Sequence, residues 1–454
     1  MAALEAAAAK SLADAAATLP DAASSRRPHF GDCAPWLETQ CATCGSRPVK
    51  LLKCAKCGLI RYCSKECQVR AWKELGHKRS CGNPLPTREV FATASIETVV
   101  TMTREFHGAD AGLVEACVQR LATAVVPSAD PTGARRRQAA AAGIIETLLL
   151  VLERHPKKVE VVGPACVAVK HVLRDATSAV KQSAVDACVV RGLVTILQEH
   201  HDSSGMMEHG LGALSNIITS ADPAEKFSPH VAHAHKEGVA DLATCLVREH
   251  RAHPGLGLIE GCQVLTIIAD PSVGGPAKIA AAGAIEVAIE LLETHPQLCV
   301  LCFRAMELLK HATFGTDGSG LERKVRSVRA GLVEAVTSCM LQPIQMRRSM
   351  KLKSFEAVVG SEDVYESGSV LLYNLYGYVL AGGAGAFGPA MVTGCEELAA
   401  ELAARCNAAG TVRALEAVAK AAARWPNVVD ECQKALAKVR HVSQLQEGPS
   451  GTTH

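Results

Sequence analysis

Between residues 41 and 81, seven cysteines and one histidine fall into four pairs. That spacing constrains this chain more than any other feature of its sequence. The run reads Cys41-x2-Cys44-x9-Cys54-x2-Cys57-x5-Cys63-x3-Cys67-x9-His77-x3-Cys81. Two CxxC pairs precede two pairs at i,i+4, a spacing that puts both side chains on one face of a helix. Each pair can therefore offer two ligands to one ion. Structural zinc takes four N or S ligands and leaves no open position, so eight ligands fill two tetrahedral sites. A filled site has no vacancy to activate water, and the pattern predicts two structural Zn2+ ions rather than a catalytic one.

The remaining cysteines read differently. Of 19 in the chain, Cys33 stands apart from the pattern and eleven are scattered singly from Cys117 to Cys432. A disulfide framework belongs to short secreted chains. Cysteines set among apolar residues, as in Ala165-Cys166-Val167, read as small core hydrophobes. The segment 41–81 carries ten Lys/Arg against two Glu. Seven thiolates and two Zn2+ would lower its formal surplus from +8 to +5. Much of the basic excess thus offsets thiolate charge and needs no polyanion to explain it. Without metal the segment has almost no core, so its folding and zinc binding should be one event.

With Arg61-Tyr62-Cys63, Cys67-Gln68 and Trp72 inside it, the pattern resembles a MYND-type zinc finger. The resemblance covers residues 41–81, with a nine-residue gap from Cys67 to His77 where the family often has seven or eight. It implies interleaved pairs: Cys41, Cys44, Cys63 and Cys67 on one ion, and Cys54, Cys57, His77 and Cys81 on the other. It also implies that Gln68 and Trp72 line a groove for short, proline-containing peptides. Gln68, Trp72 and Leu75 share one helical stripe, which equally suits a Trp that covers the zinc core.

After Cys81, Gly82-Asn83-Pro84-Leu85-Pro86 marks a boundary. Beyond it one unit recurs: a Gly, two apolar residues, an amphipathic run, then often Pro. Ala142-Gly143-Ile144-Ile145-Glu146 ends in His155-Pro156, and Ala282-Gly283-Ala284-Ile285-Glu286 ends in His295-Pro296. Related openings stand at Gly112, Gly192, Gly238, Gly331 and Gly410. Each unit predicts two substantial helices, Ile144–Arg154 and Val159–Arg174 for example. With aromatics at only 4%, the core must be Ala, Val, Leu and Ile, which suits close helix packing. A period of about 40–47 residues is that of armadillo and HEAT arrays. The segments around Asn216 (Ala213–Ile217) and Asn374 (Leu371–Leu375) resemble the armadillo third helix. There the matching Asn bonds the main chain of an extended peptide; a polar residue near a helix end is the plainer reading.

Weaker features do not change this picture. Gly383-Ala384-Gly385-Ala386-Phe387-Gly388 matches GxGxxG, but its surroundings read as helical and lack the strand a dinucleotide site needs. Eight of 17 histidines lie between His200 and His253 and read as solvent-facing loop residues. The clusters Arg135–Arg137 and Arg347–Lys353 read as solvated loops. No apolar run approaches the roughly 20 residues of a membrane span. The net charge of +2 provides no long-range pull towards polyanions. No signature of a catalytic site occurs.

The expected fold is all-α, an armadillo/HEAT-like α-solenoid with a small N-terminal two-zinc finger. Its parts are an Ala-rich, partly disordered segment (1–37), the finger (38–84), the repeats (88–442, with an irregular insertion at 342–368) and a disordered tail (443–454). The expected function is that of a non-enzymatic adaptor or scaffold, cytoplasmic or nuclear, that binds other proteins through short peptides. The alternative is a nucleic-acid or chromatin-associated transcriptional regulator using the basic finger and loops.

Overall fold

The computed structural model describes residues 41, 43, 50–56, 61–73, 77–81, 94–106, 111–220, 229–349, 361–383 and 389–447. Cys33, Cys44, Cys57, Leu75 and the segments 1–37 and 448–454 lie outside them. The chain divides into two compact units, Met1–Gly192 and Leu193–His454.

The first unit opens with a hairpin that the sequence did not announce. Strands β1 (Leu52–Lys53) and β2 (Arg61–Tyr62) pair antiparallel, with Leu52 opposite Tyr62. Two-residue strands are too short to show a period of two, which is why no alternation betrayed them. Helices α1 (Lys65–Lys73) and α2 (His77–Ser80) follow. Then come α3 (Ile96–Phe106), α4 (Ala111–Val125), α5 (Ala134–Ala141), α6 (Ile144–Arg154), α7 (Val159–Arg174), α8 (Ser178–Asp186) and the start of α9 (Val189–Glu199).

Helices α6 and α7 begin and end where the sequence places them. Gly143 adopts φ 77°, a left-handed conformation that breaks the chain between α5 and α6. Ile144, Ile145, Leu148, Val151 and Leu152 then form one buried face of α6. Thr177 starts α8 by accepting the Val180 N–H on its hydroxyl. In this unit α3 packs on α6 and α4 on α7. Gly112 therefore lies in a helix of the α7 type, not in the opening of a new repeat.

The second unit repeats a three-helix motif. Its helices are α10 (Ser204–Ile218), α11 (Val231–Lys236), α12 (Val239–His250), α13 (Leu256–Ile268), α14 (Gly275–Ala281), α15 (Ala284–Thr294), α16 (Cys299–Ala312), α17 (Gly318–Arg329), α18 (Leu332–Ser349), α19 (Ser361–Gly383), α20 (Pro389–Ala409), α21 (Thr411–Ala421) and α22 (Pro426–Glu447). The helices stack in three parallel series. The third helices α10, α13, α16, α19 and α22 pack each on the next. So do the second helices α12, α15, α18 and α21, and the first helices α14, α17 and α20. The third helices form the most continuous core: α10 buries Met206, Met207, Leu211, Leu214, Ile217 and Ile218. This is an all-α repeat array of armadillo-like, three-helix units.

Four expectations need correction. A further helix stands before the two substantial ones; in the unit of α6 and α7 it is α5, too short and too poor in apolar residues (ARRRQAAA) to show a period. The second repeat opens at Cys188, not Gly192. Cys188 takes φ 62° at the place where Gly143, Gly238, Gly283, Gly331 and Gly410 stand in other units. Gly192 lies inside α9. The stretch expected to be irregular at 342–368 is helical at both ends: α18 continues to Ser349 and α19 starts at Ser361, with 350–360 outside the described residues. Helix α18 passes through Pro343 because Cys339, Met340, Pro343 and Ile344 keep one face buried. Arg135–Arg137 lie on α5, and Arg136 is buried, bonding Asp175 Oδ2 at 2.7 Å and the Asp130 carbonyl at 2.9 Å.

The histidines are also more structural than expected. His200 and His230 are buried. His250 Nε2 pairs with the His201 carbonyl at 2.6 Å, and His295 Nε2 with the Arg251 carbonyl at 2.7 Å. Each of these two joins the end of one second helix to that of the preceding repeat. His235 Nε2 bonds the Ile268 carbonyl at 2.7 Å, and burial lowers its pKa.

Candidate metal centre

Local structure brings the finger's ligands together. Ser64 stands before α1 and accepts the Cys67 N–H at 3.2 Å on its hydroxyl, so Cys63 precedes the helix while Cys67 sits in its first turn. Their sulfurs are 3.4 Å apart. The Cys81 N–H bonds the His77 carbonyl at 2.8 Å, closing one turn that sets these two side chains side by side. Thr43 donates its hydroxyl proton to the Cys67 carbonyl at 2.8 Å, tying the first knuckle to α1.

Among the described residues two clusters result. The sulfurs of Cys41, Cys63 and Cys67 lie within 4.8 Å of one another, and so do the ligand atoms of Cys54, His77 and Cys81. The grouping follows the interleaved order. In the second cluster Cys54 and Cys81 sulfurs are 3.7 Å apart, and His77 Nε2 is 3.3 Å from Cys54 Sγ. A tetrahedral zinc with Zn–S bonds of about 2.3 Å requires S···S edges of about 3.8 Å. The donor set and spacing therefore fit zinc. Each cluster shows three donors, and Cys44 and Cys57, expected as the fourth ligands, lie outside the described residues.

The clusters share a small core. Tyr62 is fully buried with Cys41, Cys54, Ala71 and Cys81, and Leu51, Cys63, Cys67 and Trp72 pack around them. Trp72 is half-buried, its ring edge-on to His77 at 5.8 Å between centroids and 5.9 Å from Lys56 Nζ. Gln68, one turn earlier on α1, is also half-buried. Leu52 and Val69 are exposed apolar residues of the same finger. Asn216 is half-buried on α10 and Asn374 exposed on α19, both third helices, with α13 and α16 between them.

Two finger contacts were not anticipated. Tyr62 meets the His77 ring edge-on, at 6.0 Å between centroids. Arg154, at the end of α6, donates from Nη2 to the Cys41 carbonyl at 3.4 Å. No local pattern marks that contact, since 113 residues separate the partners.

Among the described residues, eight of the scattered thiols are buried as core groups. Burial pushes Cys117, Cys166 and Cys262 up to about 12 and Cys299 up to about 11, so they stay protonated. Cys188 and Cys245 are exposed. The GxGxxG string begins at Gly383, the last residue of helix α19, and its other residues lie outside the described ones. Among the described residues no helix is long and apolar enough to cross a membrane.

The family model of the MYND finger matches residues 41–81. This segment is a MYND finger, a zinc-binding type, joined to a helical-repeat region. A comparison with curated proteins returns no match. Among solved structures, an engineered protein shares 20% identity at a TM-score of 0.46, covering 63% of this chain and 98% of that one. A second engineered protein shares 17% at 0.42, covering 83% and 96%. A structure from work on a phosphorylation switch between cadherin and β-catenin shares 12% at 0.32, covering 84% and 98%.

Proposed function

We propose that the protein is an adaptor whose finger, held by two structural Zn2+ ions, and whose repeats each bind short segments of other proteins. In this reading Cys41, Cys44, Cys63 and Cys67 hold one ion, and Cys54, Cys57, His77 and Cys81 the other. Gln68 and Trp72 grip the peptide on the finger, proline-containing sequences among them. Asn216 and Asn374 serve an extended peptide on the third helices. The observation that supports this reading is the grouping of two three-donor clusters around the buried Tyr62. In this reading the metal is a structural part, and the face of α1 with half-buried Trp72 is the surface on offer.

The experiment is affinity capture from cell extract with the unaltered chain, a zinc-loaded Trp72→Ala variant and an Asn216→Ala/Asn374→Ala variant. Partners lost with Trp72→Ala at unchanged zinc content assign recognition to the finger. Partners lost only with the Asn pair assign it to the repeats. A partner set unchanged in both variants removes the peptide reading. Capture dominated by nucleic acid, with steep loss at higher salt, would favour the chromatin-regulator alternative.

A further inference from the structure

The first ligand cluster has a contact from outside the finger. Cys41 is fully buried, and its sulfur groups with those of Cys63 and Cys67. Its main-chain carbonyl accepts a hydrogen bond at 3.4 Å from Nη2 of Arg154, the last residue of α6. Arg154 is itself half-buried, so its guanidinium is partly withdrawn from bulk water. A guanidinium keeps its charge at any pH the fold survives, and its planar donors hold a carbonyl in a fixed direction.

We infer that Arg154 is a positioning residue for the first zinc site, supplied by the repeat region. The inference rests on the two-zinc reading above and deepens it. A zinc ion with four thiolates carries a net charge of −2, whereas one with three thiolates and an imidazole carries −1. The more negative centre gains more from a nearby permanent cation, and that is the centre beside which α6 places Arg154. The hydrogen bond to Cys41 also fixes the knuckle's backbone, so the sulfur is held ready for the metal. Groups outside the ligand shell change metal affinity by about 10–100-fold when altered. The two ions of one finger should therefore differ in their dependence on the repeats.

The test uses the full chain as Arg154→Gln, Arg154→Lys and the unaltered protein. Helical circular dichroism and a thermal melt establish that each is folded. Zinc release to excess EDTA is followed with a metallochromic dye, and Co2+-loaded samples assign each phase, because four-thiolate and three-thiolate centres absorb differently. The expected result is release of the four-thiolate ion about tenfold faster in Arg154→Gln, partly restored in Arg154→Lys, with the other ion unchanged. Equal rates in variant and unaltered chains, equal acceleration of both ions, or no restoration by lysine would overturn the inference. An unaltered chain holding fewer than two zinc ions would instead defeat the two-zinc reading.

Discussion

Arg326 on α17 grips Glu286 on α15, the second helix of the preceding repeat, through both nitrogens of its fork. The Nη2 to Oε2 bond is 2.7 Å, Nε pairs with Oε1, and Nη1 also donates to the Ala280 carbonyl at 2.9 Å. The arrangement recurs. Arg405 Nη1 donates to Glu334 Oε1 at 2.8 Å, and Ser183 Oγ donates to Glu146 Oε1 at 3.1 Å. Each acceptor stands three residues after a left-handed glycine. The glutamate of the recurring Gly-x-x-Glu opening is thus a repeat-to-repeat clasp.

The clasp is half in water, with side-chain exposures of 44% and 33% for Arg326 and Glu286. Solvent and salt should hold its contribution to about 0.5–1 kcal/mol. A double-mutant cycle of Arg326→Ala and Glu286→Ala in urea should return a coupling of that size, smaller at high salt. A coupling of several kcal/mol would show the pair to be desolvated.

Cys188 holds φ 62°, where a side chain costs about 1–2 kcal/mol and glycine costs little. Cys188→Gly should stabilise the chain by about 1 kcal/mol, part of the gain being offset by the freer unfolded state. A lowered urea midpoint would show that the cysteine makes a contact worth more than the strain.

Gly275 opens α14 against the main chain before it. A Cβ there would lie 2.5 Å from the Asp270 nitrogen and 2.7 Å from the Ala269 carbonyl carbon. Backbone cannot swing aside as a side chain can. Gly275→Ala should cost about 1–3 kcal/mol, read as a lower midpoint at unchanged slope.

Asp317 caps α17, accepting the Gly320 N–H at 2.8 Å. That bond, with help from the Ser319 hydroxyl, holds its carboxyl below the ordinary carboxylate range. A depressed carboxyl contributes fully above its unfolded pKa of about 3.9 and loses that contribution as pH falls through the folded value. Asp317→Asn keeps a cap without the titration. The stability of the unaltered chain should therefore fall relative to Asp317→Asn below about pH 4. Parallel curves across that range would assign the acid sensitivity elsewhere.

The two ligand clusters make a separable claim. Cys63→Ser and Cys54→Ser should each lower zinc content from two ions towards one, and the double variant should hold none. Total metal by mass spectrometry of the native protein reads this directly. Loss of both ions from either single variant would mean that the sites fold only together.

What the sequence disclosed follows from how locally each feature is determined. Helices α6 and α7 were legible because Gly143 and Pro156 punctuate them and the apolar residues of α6 repeat at helical spacing. The ligand pairs were legible because coordination demands fixed spacings. Cys188 was not, since a cysteine in a left-handed turn leaves no chemical trace and Gly192 nearby mimics the junction. The histidine bonds joined residues 44 and 49 apart, a separation set by the stacking of repeats that no local window contains. Arg154 and Cys41 meet only because the finger and α6 pack together.

Where the chain can be cut follows from how its third helices end. The last carbonyls around α16 are taken by the next helix: Arg323 donates to Ala312 and Phe314, and Lys324 to Thr313 and Gly315. A fragment stopped at residue 315 would keep every residue of α16 yet strip its final turn of these donors. One carried through α17 would retain them. The natural module for expression or grafting therefore ends one helix later than the repeat itself, after Arg329 and not after Ala312.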